Sequence, residues 1–180
     1  MEQIVRDTRI ATLYEGTTGI QALDLLGRKI LLSRGKSLKS FTMEVLSFCK
    51  DKSMISSNPH KRQMNKFIWP LSKAVANWQQ YSVRLAIKAK KDRDIVGSAS
   101  VDYLMYSGYI VMGYFWAQMA QAAYEKLATD VENRDFYRAK IKTAEFYFER
   151  LLPRTKSHAA TMMADPKTLM QLDEELLSFL

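Results

Sequence analysis

The stretch YLMYSGYIVMGYFWAQMAQAAY, residues 103–124, contains no charged side chain and decides the fold class. Its length is about what a helix needs to cross a bilayer. Its content argues against a membrane span, because glycine, serine, glutamine and several tyrosines, methionines and alanines stand where strongly lipophilic residues are needed. A helix that is apolar on every side fits the centre of a bundle. We therefore interpret the stretch as a buried bundle helix and predict no membrane span.

The sequence on both sides of this stretch also predicts helices. Apolar residues recur at intervals of three and four, and no alternating strand pattern competes with them. Capping residues and prolines set the expected limits, and Pro70 predicts a kink in the second helix. The expected helices run from Thr17 or Thr18 to about 52, from Asn58-Pro59 to about 93, from Ser98 or Ser100 to about 128, from Asp130 or Asn133 to Pro153, and from Asp165-Pro166 to about 179. The sum is an all-α antiparallel helical bundle with short connections.

Composition excludes several kinds of site. The chain has 180 residues, which is the size of one domain with a substantial core. Cys49 is the only cysteine, so an intrachain disulfide and a cysteine metal cluster are excluded. With only two histidines in addition, we predict no metal site.

Basic residues are concentrated in one part of the chain. The net charge is +8, and residues 28–93 hold 16 Lys and Arg against Glu44, Asp51 and Asp92. Such a segment attracts nucleic acid, anionic lipid or phosphorylated ligands, or it faces solvent or an acidic partner surface. We favour the last two readings and predict no nucleic-acid binding, because the basic residues are not interleaved with aromatic residues.

The stretch RDTRIATLYEGTTGIQ, residues 6–21, is the candidate functional segment. It predicts a helix ending at Tyr14, a sharp turn at Glu15-Gly16 and a new capped helix. Backbone N–H groups at a helix start bind oxyanions, and glycine lets a ligand approach the backbone. Glu15 is therefore a candidate general base. The alternative is that Glu15 is only a favourable charge near a helix N-terminus.

The same stretch resembles the Arg-Asp-x-x-Ile…Tyr-Glu-Gly-Thr-x-x-Ile-Gln signature near the C-terminal end of flavin-dependent acyl-CoA dehydrogenases. The segments LDLLGRK (23–29), SGY (107–109) and FYFERLLP (146–153) look like the longer bacterial enzymes with an extra helical C-terminal domain, of the 3-methylmercaptopropionyl-CoA dehydrogenase type. The resemblance implies that residues 1–35 are the last helices of the catalytic helical domain. It implies that residues 36–180 are the helical extension domain.

The resemblance also implies roles for individual residues. Glu15 matches the base that abstracts the α-proton of an acyl-CoA thioester, and Gly16 matches a substrate-binding position. Thr17, Thr18 and Gly19 match a run that contacts FAD, although many relatives carry Gln or Glu where this chain has Gly19.

For the protein as a whole, the resemblance implies an FAD-dependent oxidoreductase of fatty acid metabolism that acts on acyl-CoA in the cytoplasm. An electron-transfer acceptor and a homodimer of the full-length enzyme follow from it. Because the flavin platform lies upstream in the family, we expect this chain alone to bind FAD poorly and to have no turnover. The alternative is a non-catalytic helical assembly or interaction module that has retained the turn motif.

Overall fold

The computed structural model describes residues 2–14, 16–129, 131–170 and 175, and these residues form an all-α bundle without strands. The predicted fold class is confirmed. The helices are α1 (Glu2–Tyr14), α2 (Thr18–Leu23) continued by a π-helix (Asp24–Leu32), α3 (Lys36–Lys52), α4 (Lys61–Ala89), α5 (Asp94–Leu127), α6 (Arg134–Phe146) continued by a π-helix (Tyr147–Leu151) and a 3₁₀ turn (Leu152–Arg154), α7 (Thr155–Met162) and α8 (Lys167–Met170).

Helix α5 is the centre of the bundle. It packs against α2, α4, α6 and α7, and it contains the uncharged stretch. Its largest fully buried side chains are Tyr103, Tyr106 and Ile110. In the part of the chain that the structure describes, no helix is both long enough and apolar enough to span a membrane.

Tyrosine hydroxyls attach α5 to the neighbouring helices. The hydroxyls of Tyr103 and Ser82 lie 2.6 Å apart, and the Tyr106 hydroxyl donates to the carbonyl oxygen of Ala74 at 3.0 Å. Burial raises the pKa of Tyr103 to about 12, so its hydroxyl keeps its proton. These bonds satisfy polar groups that would otherwise be costly to bury, and they join α4 to α5.

The first predicted helix is not continuous. Instead of running from residue 17 or 18 to 52, it is interrupted at residues 33–35. Arg34 and Gly35 have φ values of +55° and +72°, and the Gly35 N–H donates to the Ile30 carbonyl at 2.8 Å. Glycine adopts this left-handed conformation without steric cost, and its N–H closes the preceding helix. Gly35 therefore separates α3 from the π-helix.

The predicted start of the third helix is also wrong. Helix α5 begins at Asp94, earlier than Ser98 or Ser100. The Asp92 carboxylate accepts the Asp94 N–H at 2.9 Å, and this contact forms the turn before the helix. Ser100 lies within the helix, and its hydroxyl donates to the Gly97 carbonyl at 3.0 Å.

Pro59 and Pro153 lie near helix boundaries, as predicted, but the observed boundaries differ from the predicted ones. Helix α4 begins at Lys61, because Asn58 uses its side chain to accept the His60 N–H at 3.0 Å and to donate to Gln121 at 2.9 Å. Pro153 ends the helical segment only through one 3₁₀ turn, and α7 follows directly at Thr155. Pro70 lies inside the continuous α4.

Two glycines provide a matched test of this backbone. Gly113 is helical, and a Cβ added there lies at ordinary contact distances of 3.5–3.7 Å from Tyr147, Leu71 and Leu152. We expect Gly113→Ala to raise the free energy of unfolding by about 1 kcal/mol, because alanine is the better helix former. We expect Gly35→Ala to lower it by about 1 kcal/mol, because alanine resists a positive φ. Urea denaturation measures both; the same sign for both variants contradicts the description.

A carboxylate between α4 and α6 predicts acid sensitivity. Glu145 accepts hydrogen bonds from Lys142, at 2.8 Å, and from Lys66 on α4, and these ammonium groups hold the pKa of its carboxyl below the ordinary value. A lowered folded-state pKa contributes stability above the unfolded-state pKa and loses it as pH falls through the folded-state pKa.

We therefore expect Glu145→Gln to reduce the free energy of unfolding at pH 7 by less than about 1 kcal/mol, since the pair is partly solvated. The difference from the parent chain should shrink as pH falls below about 4.3, the ordinary glutamate pKa. Thermal unfolding from pH 7 to pH 3 measures it, and a difference independent of pH would contradict the ion-pair explanation.

Candidate functional site

The turn between α1 and α2 is the candidate functional site. As predicted, α1 ends at Tyr14 and α2 begins at Thr18. Gly16 has a φ of +92°, a value that disfavours any residue with a Cβ. Glu15, the predicted base, lies outside the described residues.

Thr17 caps the start of α2. Its backbone is extended, with φ −71° and ψ 157°, and its side-chain oxygen accepts the Ile20 N–H at 3.4 Å. Its carbonyl oxygen accepts the Gln21 N–H at 3.1 Å. The side-chain contact with Ile20 satisfies one of the N–H groups that a helix start leaves unpaired. The Thr17 hydroxyl therefore already has a structural function.

The predicted binding residues form one open surface. Gly16, Thr17 and Thr18 are exposed, and Gly19 is half-buried. A Cβ at Gly19 would have no atom within 4 Å. The structure thus brings these four residues together at a helix N-terminus with free space beside it.

The segment after the turn fixes its position on the bundle. Ala22, Leu26 and Ile30 are buried, and α2 and the π-helix pack against α5. A Cβ at Gly27 would lie 3.7 Å from Val96 of α5, so the two helices approach closely there. Asp24 pairs with Arg28 at 2.5 Å and satisfies its carboxylate within the same helix.

Apolar side chains near the turn are exposed to solvent. Ile20 and Leu23 of α2 are 61% and 47% exposed, and Ile4, Val5 and Ile10 of α1 are exposed as well. Contiguous exposed apolar residues mark surfaces that bind another protein surface. The exposed side chains Ile20 and Leu23 of α2 are therefore available for contact with another surface.

A basic groove lies between the π-helix, α3 and α4, and the sequence did not predict it. Its volume is about 1360 Å³, and its apolar lining residues include Leu38 and Val83. The cations along the groove are Arg34, Lys39, Lys90 and Arg93. All four belong to the basic segment 28–93, which was the sequence signal for this surface.

The described residues offer little other chemistry. Among them, no group of three or more histidine, cysteine or carboxylate side chains could hold a metal ion. Cys49 is buried, and burial raises the pKa of its thiol, which disfavours the reactive thiolate. His158 pairs with Asp102, with 2.7 Å between Nδ1 and Oδ1, and stacks on Tyr109, so it packs α7 onto α5.

Comparison with known proteins assigns the chain to a family. Residues 41–173 match the family described as "Acetyl-CoA dehydrogenase C-terminal like", so the chain belongs to the family of acyl-CoA dehydrogenase C-terminal domains. This confirms the resemblance seen in the sequence. The matched residues comprise α3 from Phe41 onward, α4 to α8 and a few residues beyond.

Similar curated proteins are also named as dehydrogenases of acyl-CoA compounds. The chain is 30% identical to a broad-specificity linear acyl-CoA dehydrogenase of Mycobacterium tuberculosis over 184 residues, covering 97% of the chain and 29% of that protein. It is 32% identical to a 3-methylmercaptopropionyl-CoA dehydrogenase of Ruegeria pomeroyi over 150 residues, covering 83% of the chain and 24% of that protein. A butyryl-CoA dehydrogenase of Syntrophomonas wolfei is 24% identical over 176 residues, covering 96% of the chain and 28% of that protein. The chain thus spans less than a third of the length of these relatives.

The cap at the turn is testable. Thr17→Ala removes the side-chain acceptor of the Ile20 N–H, and we expect the free energy of unfolding to fall by about 1 kcal/mol. Thr17→Ser retains the acceptor and should behave like the parent chain. Urea denaturation compares the three proteins. Equal loss in both variants would show that the threonine methyl group, and not the cap, is responsible.

Proposed function

We propose that this chain is the carboxyl-terminal part of an FAD-dependent acyl-CoA dehydrogenase, with Glu15 as the base. The observation that carries the proposal is the Tyr-Glu-Gly-Thr sequence, residues 14–17, which directly precedes α2 in a chain that belongs to this family. The exposed apolar side chains Ile20 and Leu23 on one side of α2 support it, because a larger catalytic body would cover them. The reaction is oxidation of the acyl-CoA thioester to the α,β-unsaturated enoyl-CoA.

The reaction needs a carboxylate beside a polarised carbonyl. A C–H bond next to a thioester becomes acidic only when the carbonyl oxygen is stabilised, and backbone N–H groups near the base serve this purpose. Glu15 would accept the α-proton as the β-hydrogen leaves with its electron pair. A closed substrate slot would desolvate the carboxyl group and raise its pKa toward the working pH. Gly16 would let the thioester approach the backbone.

The residues after the base fit contact with a flavin nucleotide through the main chain. Bound FAD would supply the acceptor for the hydride. The Thr17 hydroxyl accepts the Ile20 N–H, whereas Thr18 is exposed and Gly19 has open space beside it. N–H groups in the first turn of a helix have no acceptor within the helix, and they favour anionic or oxygen-rich ligands. We therefore assign Thr18 and Gly19 backbone contacts, and Thr17 mainly the shaping of the turn.

The proposal includes partners. Acyl-CoA would be the substrate, an electron-transfer acceptor would reoxidise the flavin, and the intact enzyme would be a homodimer. The boundary between a catalytic segment, residues 1–35, and an extension, residues 36–180, belongs to the same proposal. Helices α3 to α8 would then support the catalytic part without taking part in the chemistry.

Substitution of the base tests the function. In the intact enzyme, extended upstream as the relatives are, we expect Glu15→Gln to lower kcat by at least about 100-fold, because an amide cannot accept the α-proton. The flavin absorbance spectrum should remain, since the substitution keeps the size of the side chain. Glu2→Gln on exposed α1 is the matched control and should keep the parent rate.

The outcomes separate the two functions considered. An unchanged rate for Glu15→Gln would reject Glu15 as the base and favour the non-catalytic assembly module. The 180-residue chain assayed alone with acyl-CoA and an artificial electron acceptor should show no turnover and weak FAD binding. Robust activity of the chain alone would contradict the proposal that the catalytic machinery lies mostly outside it.

A further inference from the structure

Helix α5 has a second apolar face that the bundle does not cover. Val101, Met105, Met112 and Phe115 are 44%, 40%, 51% and 49% exposed, and Gly108 is exposed between them. The spacing between successive members of this set alternates between four and three residues. An isolated exposed apolar residue needs no explanation, but an ordered row along more than three turns does.

The row has the spacing of a helix-packing seam. Half-buried Met119 and exposed Ala122 continue the alternation, so a seven-residue repeat carries methionine at three equivalent positions, 105, 112 and 119. Apolar residues at this spacing interdigitate with a second helix of the same kind. We name this row the α5 seam, and its members are Val101, Met105, Gly108, Met112, Phe115, Met119 and Ala122.

We propose that a second copy of this chain covers the α5 seam, with the two α5 helices antiparallel and the two-fold axis between Gly108 and Met112. This arrangement pairs small residues with large ones. Met112 of the partner subunit would lie opposite Gly108, where a Cβ has no atom within 4 Å. Phe115 of the partner subunit would lie opposite Met105, and thioether–aromatic contacts are favourable.

A parallel pair would fit less well. It would place Gly108 opposite its own copy and Phe115 opposite its own copy. One layer would then contain a gap and a nearby layer would be crowded, and both defects weaken packing. Size complementarity therefore favours the antiparallel direction.

Charges at the two ends of α5 select the register. Asp94 lies seven residues before Val101, and Lys126 lies seven residues after Met119, so both continue the seam. With the axis between Gly108 and Met112, each Asp94 lies opposite Lys126 of the partner subunit. Within the described part of one copy, neither side chain has an ion-pair partner. A shift of seven residues would place Lys126 against apolar Val101, which is costly.

The same features favour a second copy over an unrelated helix. The axis coincides with the middle of α5, which runs from Asp94 to Leu127, so both ends match at once. The seam itself carries no charge, and the nearby Asp102 is already paired with His158 at 2.7 Å. In this arrangement the two α5 helices contact each other over a length of about 48 Å at the helical rise per residue. This inference rests on the homodimer of the proposed function and assigns an interface to it, but it does not depend on Glu15 or on the catalytic reaction.

Sedimentation of the 180-residue chain tests the interface. We expect a dimer whose dissociation constant rises at least about tenfold for Met112→Glu, because two carboxylates would enter an apolar contact. Ile87→Glu is the matched control: Ile87 of α4 is 57% exposed and lies off the seam, so its dissociation constant should stay within about twofold of the parent value. A monomeric parent chain, or an equal effect of both substitutions, would overturn the proposal.

A charge exchange tests the register. Lys126→Glu places like charges opposite each other and should weaken the dimer several-fold. Adding Asp94→Lys to it restores opposite charges and should restore association. Circular dichroism of each variant confirms that α5 stays helical, since both residues also interact with the helix dipole. Failure of the double variant to recover, with helicity unchanged, would reject this register.

Cross-linking tests the direction. In the double variant Met105→Cys/Phe115→Cys, the two new thiols of one chain lie about 15 Å apart along the helix, too far for a disulfide. Mild oxidation should therefore give a covalent dimer of the double variant and none of either single variant. Covalent dimers of Met105→Cys alone would indicate a parallel pair and overturn the antiparallel arrangement.

Discussion

The burial of α5 is the constraint on which the rest of the structure depends. Its uncharged stretch cannot remain in water at acceptable cost, so α2, α4, α6 and α7 pack around it. The polar atoms that this burial removes from water are satisfied within the core: Tyr103 contacts Ser82, and Tyr106 donates to the main chain of α4. These bonds have fixed partners, so they also set how α4 and α5 lie against each other.

The candidate site depends on the same helix although it lies at the edge of the bundle. The turn at Gly16 and Thr17 is exposed, and its own contacts are few. Its position is set by the next residues, because Ala22 and Leu26 are buried where α2 and the π-helix pack against α5. An exposed turn on a packed support of this kind keeps a defined position, as a functional site requires.

Much of the fold could be predicted from residue patterns, and particular errors show where such patterns stop being informative. Apolar periodicity identified the helical regions because the spacing of a buried face is local in sequence. The break at Gly35 was missed because glycine is also tolerated inside helices, and only packing of the segments on either side requires a positive φ there. Ser98 and Ser100 were mistaken for caps because serine in a helix can bond to its own main chain, as Ser100 does with Gly97.

The sequence by itself determined the helical class, the central place of the uncharged stretch and the family, because hydrophobic spacing and the Tyr-Glu-Gly-Thr motif can be recognised from residues that are close together in the chain. Only the tertiary structure decided which face of α5 is covered and which residues form the groove lined by Arg34 and Lys90. The physical reason is that the identity of an apolar residue does not specify which other residues it will contact in the folded protein. Tyr103 and Met112 belong to one uncharged helix, yet the neighbouring helices bury the first and leave half of the second exposed.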